Sequence, residues 1–165
     1  MNRRLFLGTT FLATIAGLAA VRFSVGSQAL AAEGVFEIQK TDEEWRAILS
    51  EAQFRVLRKE DTERPFSSAL NDEKRTGNFH CAGCDLPVYG SYAKYDSGTG
   101  WPSFYESLKG AIGTKEDNSL FSTRTEVHCR RCGGHFGHVF DDGPKPTGMR
   151  HCLNGLALTF KPEAA

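Results

Sequence analysis

A mainly β domain of the α+β class, an antiparallel sheet body entered through two short helices, is the fold this sequence predicts, and three observations support it. Helical periodicity is confined to residues 41–59. After residue 68 the segments are short, aromatic and β-branched, and glycine, proline or aspartate separates them. Two Cys-x-x-Cys pairs, Cys81/Cys84 and Cys129/Cys132, stand 44 residues apart and mark two tight turns that one ion or two disulfides could join. With 165 residues, 40% of them apolar and 11% aromatic, the chain has material for one core.

Residues 1–31 read as a targeting segment and residues 32–165 as the single domain. Asn2-Arg3-Arg4-Leu5-Phe6-Leu7 resembles a twin-arginine export signal, and a weakly apolar run follows from Leu5 to Val21. Ala29-Leu30-Ala31 supplies a small-x-small cleavage pattern. Cleavage would leave a periplasmic protein with no stable membrane insertion. The alternative is an uncleaved membrane anchor, for which the 17 residues of the run sit at the lower limit of length. Without the segment, 17 basic side chains face 20 acidic ones, and no basic run remains. Such a surface disfavours nucleic acid as a partner.

In chain order, Val35-Phe36-Glu37-Ile38 reads as a short extended piece. Thr41-Asp42-Glu43-Glu44 and Ser50-Glu51-Ala52-Gln53 are capping boxes that start two helices, the second ending near Lys59. Trp45, Ile48 and Leu49 should share the buried face of the first, and Phe54 and Leu57 that of the second; Trp45 reads as core. The expected strands lie at Asn78–His80, Val88-Tyr89, Ala111-Ile112, Leu120–Thr123, Glu126–His128, His138–Phe140 and Leu156–Phe160. Gly98-Thr99-Gly100 is followed by Trp101-Pro102, which cannot open a dinucleotide-binding helix.

Two thiolates at i and i+3 of a tight turn can share one cation, and two such turns complete a tetrahedral sulfur site of the kind structural zinc prefers. Gly83 inside the first pair and Gly133-Gly134 after the second suit that geometry. Cys81, Cys84, Cys129 and Cys132 are therefore the expected ligands of one structural zinc, and two disulfides are the alternative. Four thiolates leave no open coordination position, so the metal would hold the fold and take no part in catalysis.

Cys152 is then alone. An inert buried thiol is its bland reading. Against that reading, Arg150 and Asn154 flank it at two residues on either side, so in a strand all three side chains would share a face. A guanidinium nearby favours the thiolate, and an asparagine can orient a reacting oxygen. His135 and His138 add two imidazoles as proton donors, whereas a second zinc site lacks supporting carboxylates. His151, beside the thiol, could act or simply pack.

Together, Cys81-x-x-Cys84, Ser97-Gly98-Thr99-Gly100-Trp101-Pro102-Ser103-Phe104, Cys129-x-x-Cys132, His135-Phe136-Gly137-His138-Val139-Phe140-Asp141-Asp142-Gly143-Pro144 and Arg150-His151-Cys152-Leu153-Asn154 resemble the B-type peptide methionine sulfoxide reductases from about Asp42 to Pro162. The resemblance implies an oxidoreductase in which Cys152 attacks the sulfur of methionine-R-sulfoxide in oxidised proteins or peptides and is left as a sulfenic acid. It implies that His135, His138 and Asn154 serve the sulfoxide oxygen, and that Trp101, with Phe140, packs on the substrate methyl. It further implies that Arg150 and Asp142 pair beside the nucleophile. The choice of the R epimer comes from the resemblance alone, and protein repair after oxidative damage is the role it implies.

Many members of the family place a recycling cysteine where this chain has Thr99. The expected cycle therefore uses an external thiol reductant, thioredoxin-like or of low molecular weight. Two other functions compete with the enzyme. A zinc-ribbon binding module would leave Cys152 and the histidines expendable, and a disulfide-stapled exported protein would use Cys152 between chains.

Overall fold

The computed structural model describes residues 36–119 and 122–164. The export-signal reading of residues 1–31, Val35 and the Leu120-Phe121 half of one expected strand lie outside them.

Both capping boxes form. Thr41 starts α1 (Asp42–Ile48) and Ser50 starts α2 (Glu51–Lys59), each trading a side-chain hydrogen bond with the third residue of its helix. Trp45, Phe54, Val56 and Leu57 are buried. Ile48, expected on the buried face, is 57% exposed. The seven-residue helix ends there, and it is Leu49, in extended conformation, that turns inward. Phe36–Ile38 forms a bend rather than the expected strand, and Ile38 N–H donates to Arg131 O at 3.0 Å.

Among the described residues nine strands follow: β1 Gly77–Cys81, β2 Pro87–Gly90, β3 Lys94–Tyr95, β4 Ser103–Phe104, β5 Ile112–Asp117, β6 Arg124–Cys129, β7 His135–Phe140, β8 Arg150–Leu153 and β9 Leu158–Pro162. They pair antiparallel in two sheets, ordered β2-β1-β9 and β3-β4-β8-β7-β6-β5. The two-residue strands β3 and β4 are too short to show periodicity and were not expected. Ser122 and Thr123 lie in the β5–β6 loop, and Gly155–Ala157 is a 3₁₀ turn, so the last strand starts at Leu158.

Aromatic rings join the sheets. Phe79 of β1 and Tyr89 of β2 stand 5.0 and 4.6 Å, centroid to centroid, from Phe104 of β4. All three are fully buried, and such pairs add about 0.5–1.5 kcal/mol each to the apolar area removed from water. Among the described residues no helix is long and apolar enough to cross a membrane.

Candidate active site

Strand β8 carries Cys152 between two neighbours, and the register sets what the thiol meets. Ser103 of β4 and His138 of β7 are its cross-strand partners; Glu126 of β6 faces His138, and Lys115 of β5 faces Glu126. Cross-strand partners share a face with Cβ atoms about 4.5–5.5 Å apart. Ser103, Cys152, His138, Glu126 and Lys115 therefore form one row across the large sheet, with Cys152 half-buried within it.

Side chains three apart in a strand point to opposite faces, yet His135 and His138 share one. A β-bulge at Phe136 brings this about: Val127 pairs with Gly137, but His128 pairs with His135, leaving Phe136 as the extra residue. The rings meet edge to face at 5.5 Å, and Phe136 is buried in the core. Gly137 is required beside the bulge. Its φ is +152°, and a Cβ there would lie 2.1 Å from the Cys152 carbonyl oxygen.

Each imidazole has a carboxylate behind it. His135 Nδ1 lies 2.7 Å from Glu126 Oε1, and His138 Nε2 lies 2.7 Å from Asp117 Oδ2. Lys115 and Arg124 in turn pair with those carboxylates at 2.9 and 2.6 Å. Burial pushes His135 down to about 4. His138 is lowered as well, chiefly by burial, with the Asp117 hydrogen bond opposing. Both shifts favour the neutral ring. A neutral ring donates from one nitrogen only, here to its carboxylate. In that form the free atoms, Nε2 of His135 and Nδ1 of His138, accept hydrogen bonds.

Arg150 and Asp142 form a two-pronged ion pair, both contacts at 2.8 Å, and the guanidinium lies 4.4 Å over the Phe140 ring. Asp142 thus compensates the Arg150 charge that was expected to act on the thiol.

Asn154 leaves the face expected for it. The strand ends at Leu153, and the Asn154 side chain turns inward, 4% exposed. Its Oδ1 accepts from Glu63 N–H at 2.9 Å, and its Nδ2 donates to Phe136 O at 3.0 Å. His151 packs: it is buried, with Nδ1 3.0 Å from the Tyr89 hydroxyl.

Trp101 is half-buried and donates Nε1–H to Glu63 O at 3.1 Å. A cavity of about 130 Å³ beside it is lined by Phe66, Lys94, Tyr95 and Pro102, among others, and Phe140 does not line it. The structure therefore does not show Trp101 and Phe140 sharing a pocket.

Sequence reasoning missed Glu63. This 8%-exposed residue contacts three parts of the site: its carbonyl holds Trp101, its N–H holds Asn154, and its carboxylate accepts from Gly155 and Leu156 N–H. Burial raises its pKa, and the two backbone donors counter the shift. An acid in an irregular Glu-Arg-Pro stretch gives no periodic signal. Asp117 and Glu126 were missed too, since nothing in the sequence reports their pairing with the histidines.

Away from this row, the β1–β2 and β6–β7 turns bring four sulfurs together. Cys81 lies 3.6 Å from Cys132 and Cys84 lies 3.5 Å from Cys129, with all four sulfurs within 4.8 Å of one another. Disulfide sulfurs would be about 2.05 Å apart, so the disulfide alternative fails and none of the five cysteines is in a disulfide. A tetrahedral ion with bonds of about 2.3 Å spaces its sulfurs about 3.8 Å apart, so the quartet could hold a metal ion.

Residues 49–162 match the family described as the SelR domain. The peptide methionine sulfoxide reductase MsrB of Pseudomonas entomophila strain L48 is 54% identical over 128 residues, 77% of this chain and 98% of that protein. The protein of the same description from Pseudomonas putida strain W619 is 52% identical over 128 residues, 77% of this chain and 96% of its own length. That from Methanosarcina barkeri strain Fusaro is 49% identical over 127 residues, 76% and 89% of the two chains.

Proposed function

Because this chain belongs to the MsrB family of peptide methionine sulfoxide reductases, oxidoreductases acting on methionine sulfoxide, we propose that Cys152 reduces methionine-R-sulfoxide in proteins and peptides by nucleophilic attack. One observation carries this reading: a half-buried thiol stands in register with His138, on the face that also holds His135, and each ring is backed by a carboxylate.

The Cys152 sulfur attacks the sulfoxide sulfur, and its thiol proton must travel to the oxide oxygen. A neutral imidazole can take that proton at its free nitrogen and return it to oxygen, while the carboxylate behind stabilises the transient cation. When the oxygen passes to Cys152, the sulfur–oxygen bond of the substrate breaks and methionine leaves. Cys152 is left as a sulfenic acid, and protons and electrons balance with no other reactant. Trp101 and Phe140 offer apolar surface for the substrate. Arg150 and Asp142 brace the end of β8, and Asn154 acts as a positioning residue.

Resetting the enzyme takes two thiol equivalents from outside. The first displaces water from the sulfenic acid to give a mixed disulfide, and the second releases Cys152 as a thiol. Thr99 lies 3.7 Å from the Cys152 sulfur, and the other four thiols form the quartet on the two turns. Those four suit a structural zinc, which would clamp the turns and supply no chemistry to the reaction. The role that follows is repair of oxidised proteins. Residues 1–31 are proposed to export the folded chain to the periplasm, a reading supported by Arg3-Arg4 and Ala29-Leu30-Ala31. N-terminal sequencing of the exported protein should find it starting near Ala32; an intact Met1 in the membrane fraction would oppose that reading.

Turnover of separated R and S sulfoxides with a chemical thiol reductant tests the reductase reading. Native protein should consume only the R form, and Cys152→Ser should be inactive. Equal activity of the two proteins, or a preference for S, would refute the assignment.

A further inference from the structure

A chain of hydroxyls leads from the protein interior to the reactive sulfur. Ser103, fully buried, lies 2.7 Å from the Ser97 oxygen and 3.1 Å from the Trp101 carbonyl oxygen. The Ser97 oxygen lies 2.8 Å from Thr99 Oγ1, which lies 3.7 Å from Cys152 Sγ. The loop that carries the chain is anchored. Asp96 Oδ1 accepts from Gly98 N–H at 2.9 Å, and the Gly100 carbonyl accepts from Phe66 N–H at 2.7 Å and Asn71 Nδ2 at 3.1 Å. Gly98, with φ +72°, gives the loop the left-handed turn that points Thr99 at the sulfur.

Each hydroxyl has one proton, so the chain has two consistent directions. In one, Ser103 donates to the Trp101 carbonyl, Ser97 to Ser103 and Thr99 to Ser97, which leaves the Thr99 oxygen to accept from the Cys152 thiol. In the other, Ser103 donates to Ser97, Ser97 to Thr99 and Thr99 to the Cys152 sulfur. The first direction matches a thiol and the second a thiolate.

We propose that Ser103, Ser97 and Thr99 form a reversible hydrogen-bond relay in which Thr99 is a catalytic residue donating to the Cys152 thiolate, with Ser97 and Ser103 as positioning residues. The relay rests on Cys152 being the nucleophile. It gives Thr99 a task of its own in a chain without a recycling thiol at that position. Reversal of the hydroxyls keeps the sulfur hydrogen-bonded in both protonation states, so attack by the thiolate does not begin from an unsolvated charge.

The test is iodoacetamide alkylation of Cys152 in the metal-loaded full chain, followed by peptide mass spectrometry across pH. Thr99→Val keeps the shape and removes the hydroxyl; it should move the profile to higher pH and slow alkylation at pH 7 about fivefold, the effect of losing one hydrogen bond of ordinary net strength. Thr99→Ser should restore the native profile, and Ser97→Ala should give an intermediate one. A native profile in Thr99→Val, or an equal displacement in Thr99→Ser, would overturn the assignment to Thr99, and a native profile in Ser97→Ala would overturn the relay. The assay uses no sulfoxide, so its failure is distinct from failure of the reductase reading, which turnover by Cys152→Ser reports.

Discussion

Gly137→Ala makes a sharp test of the geometry, because the substitution adds one methyl group where the sheet has no room. The new Cβ would sit 2.1 Å from the Cys152 carbonyl oxygen and 3.1 Å from Leu153 Cα, both backbone atoms that no side-chain rotation can move aside. An ordinary contact needs more than about 3 Å, so β7 and β8 must separate locally by about 1 Å, and φ +152° adds strain for any residue with a side chain. The separation falls between His138 and Cys152, the register pair on which the proposed proton transfer depends. A misplacement of about 1 Å between reacting groups lowers a rate on the order of 100-fold. We expect kcat/KM for R-sulfoxide to fall by about that factor while the protein keeps its circular dichroism. Turnover within threefold of native in a folded variant would refute the claim that β7–β8 pairing positions the chemistry.

Three further outcomes follow from the packing. With the proposed zinc in the quartet, its removal by a chelator, or Cys84→Ser, would open a clamp across 44 residues; the lost loop closure, about 3–4 kcal/mol, should lower Tm on the order of 10 °C by calorimetry, and an unchanged Tm would deny the clamp. His135 and His151 are both held down to about 4 by burial, against an ordinary 6.5. The unfolded chain therefore binds protons first as pH falls, so the neutral rings leave stability intact above about 6.5 and erode it from there to about 4, by up to about 3 kcal/mol each. Urea titrations at pH 7 and 4.5 should show the loss, shrinking in His151→Gln; equal stability at the two pH values would contradict it. Glu63→Ala removes the acceptor for the Gly155 and Leu156 N–H groups and should cost about 3 kcal/mol in urea unfolding, with kcat reduced through the Asn154 turn; a loss under 1 kcal/mol would show that water replaces the carboxylate.

Local chemistry in the sequence was enough to read both helices, since Thr41/Glu44 and Ser50/Gln53 name their own capping partners. The cysteine quartet was legible for a similar reason, because ligand spacing within a turn is a local property. What depended on cross-strand register was not legible. No spacing rule reports that Phe136 bulges out, so the shared face of His135 and His138 could be expected only from the resemblance. Asn154 turns inward because β8 ends at Leu153, a boundary that no local spacing marks. Glu63 lies 91 residues from Asn154 and is joined to it by its backbone N–H, an atom every residue but proline has.

The cysteine quartet and the reactive row are not independent, even though none of its members lies in the row. Cys129 and Cys132 form the β6–β7 turn, closed by Gly133 N–H to Cys129 O and Cys129 N–H to Gly134 O, both at 2.9 Å, and His135 begins the next strand. Two residues, Gly133 and Gly134, therefore separate Cys132 from His135, and the bulge that orients the imidazole comes immediately after. Arg58 of α2 donates to Cys132 O at 2.9 Å, holding the same turn from the helix side. A β-bulge keeps its place only while the ladders on either side fix the register. Gly137 and β8 do this at one end, and at the other the fixed point is the cysteine turn. An ion in the quartet would therefore act on the reaction through position alone, by setting where β7 begins and so which face His135 presents to the row containing Cys152.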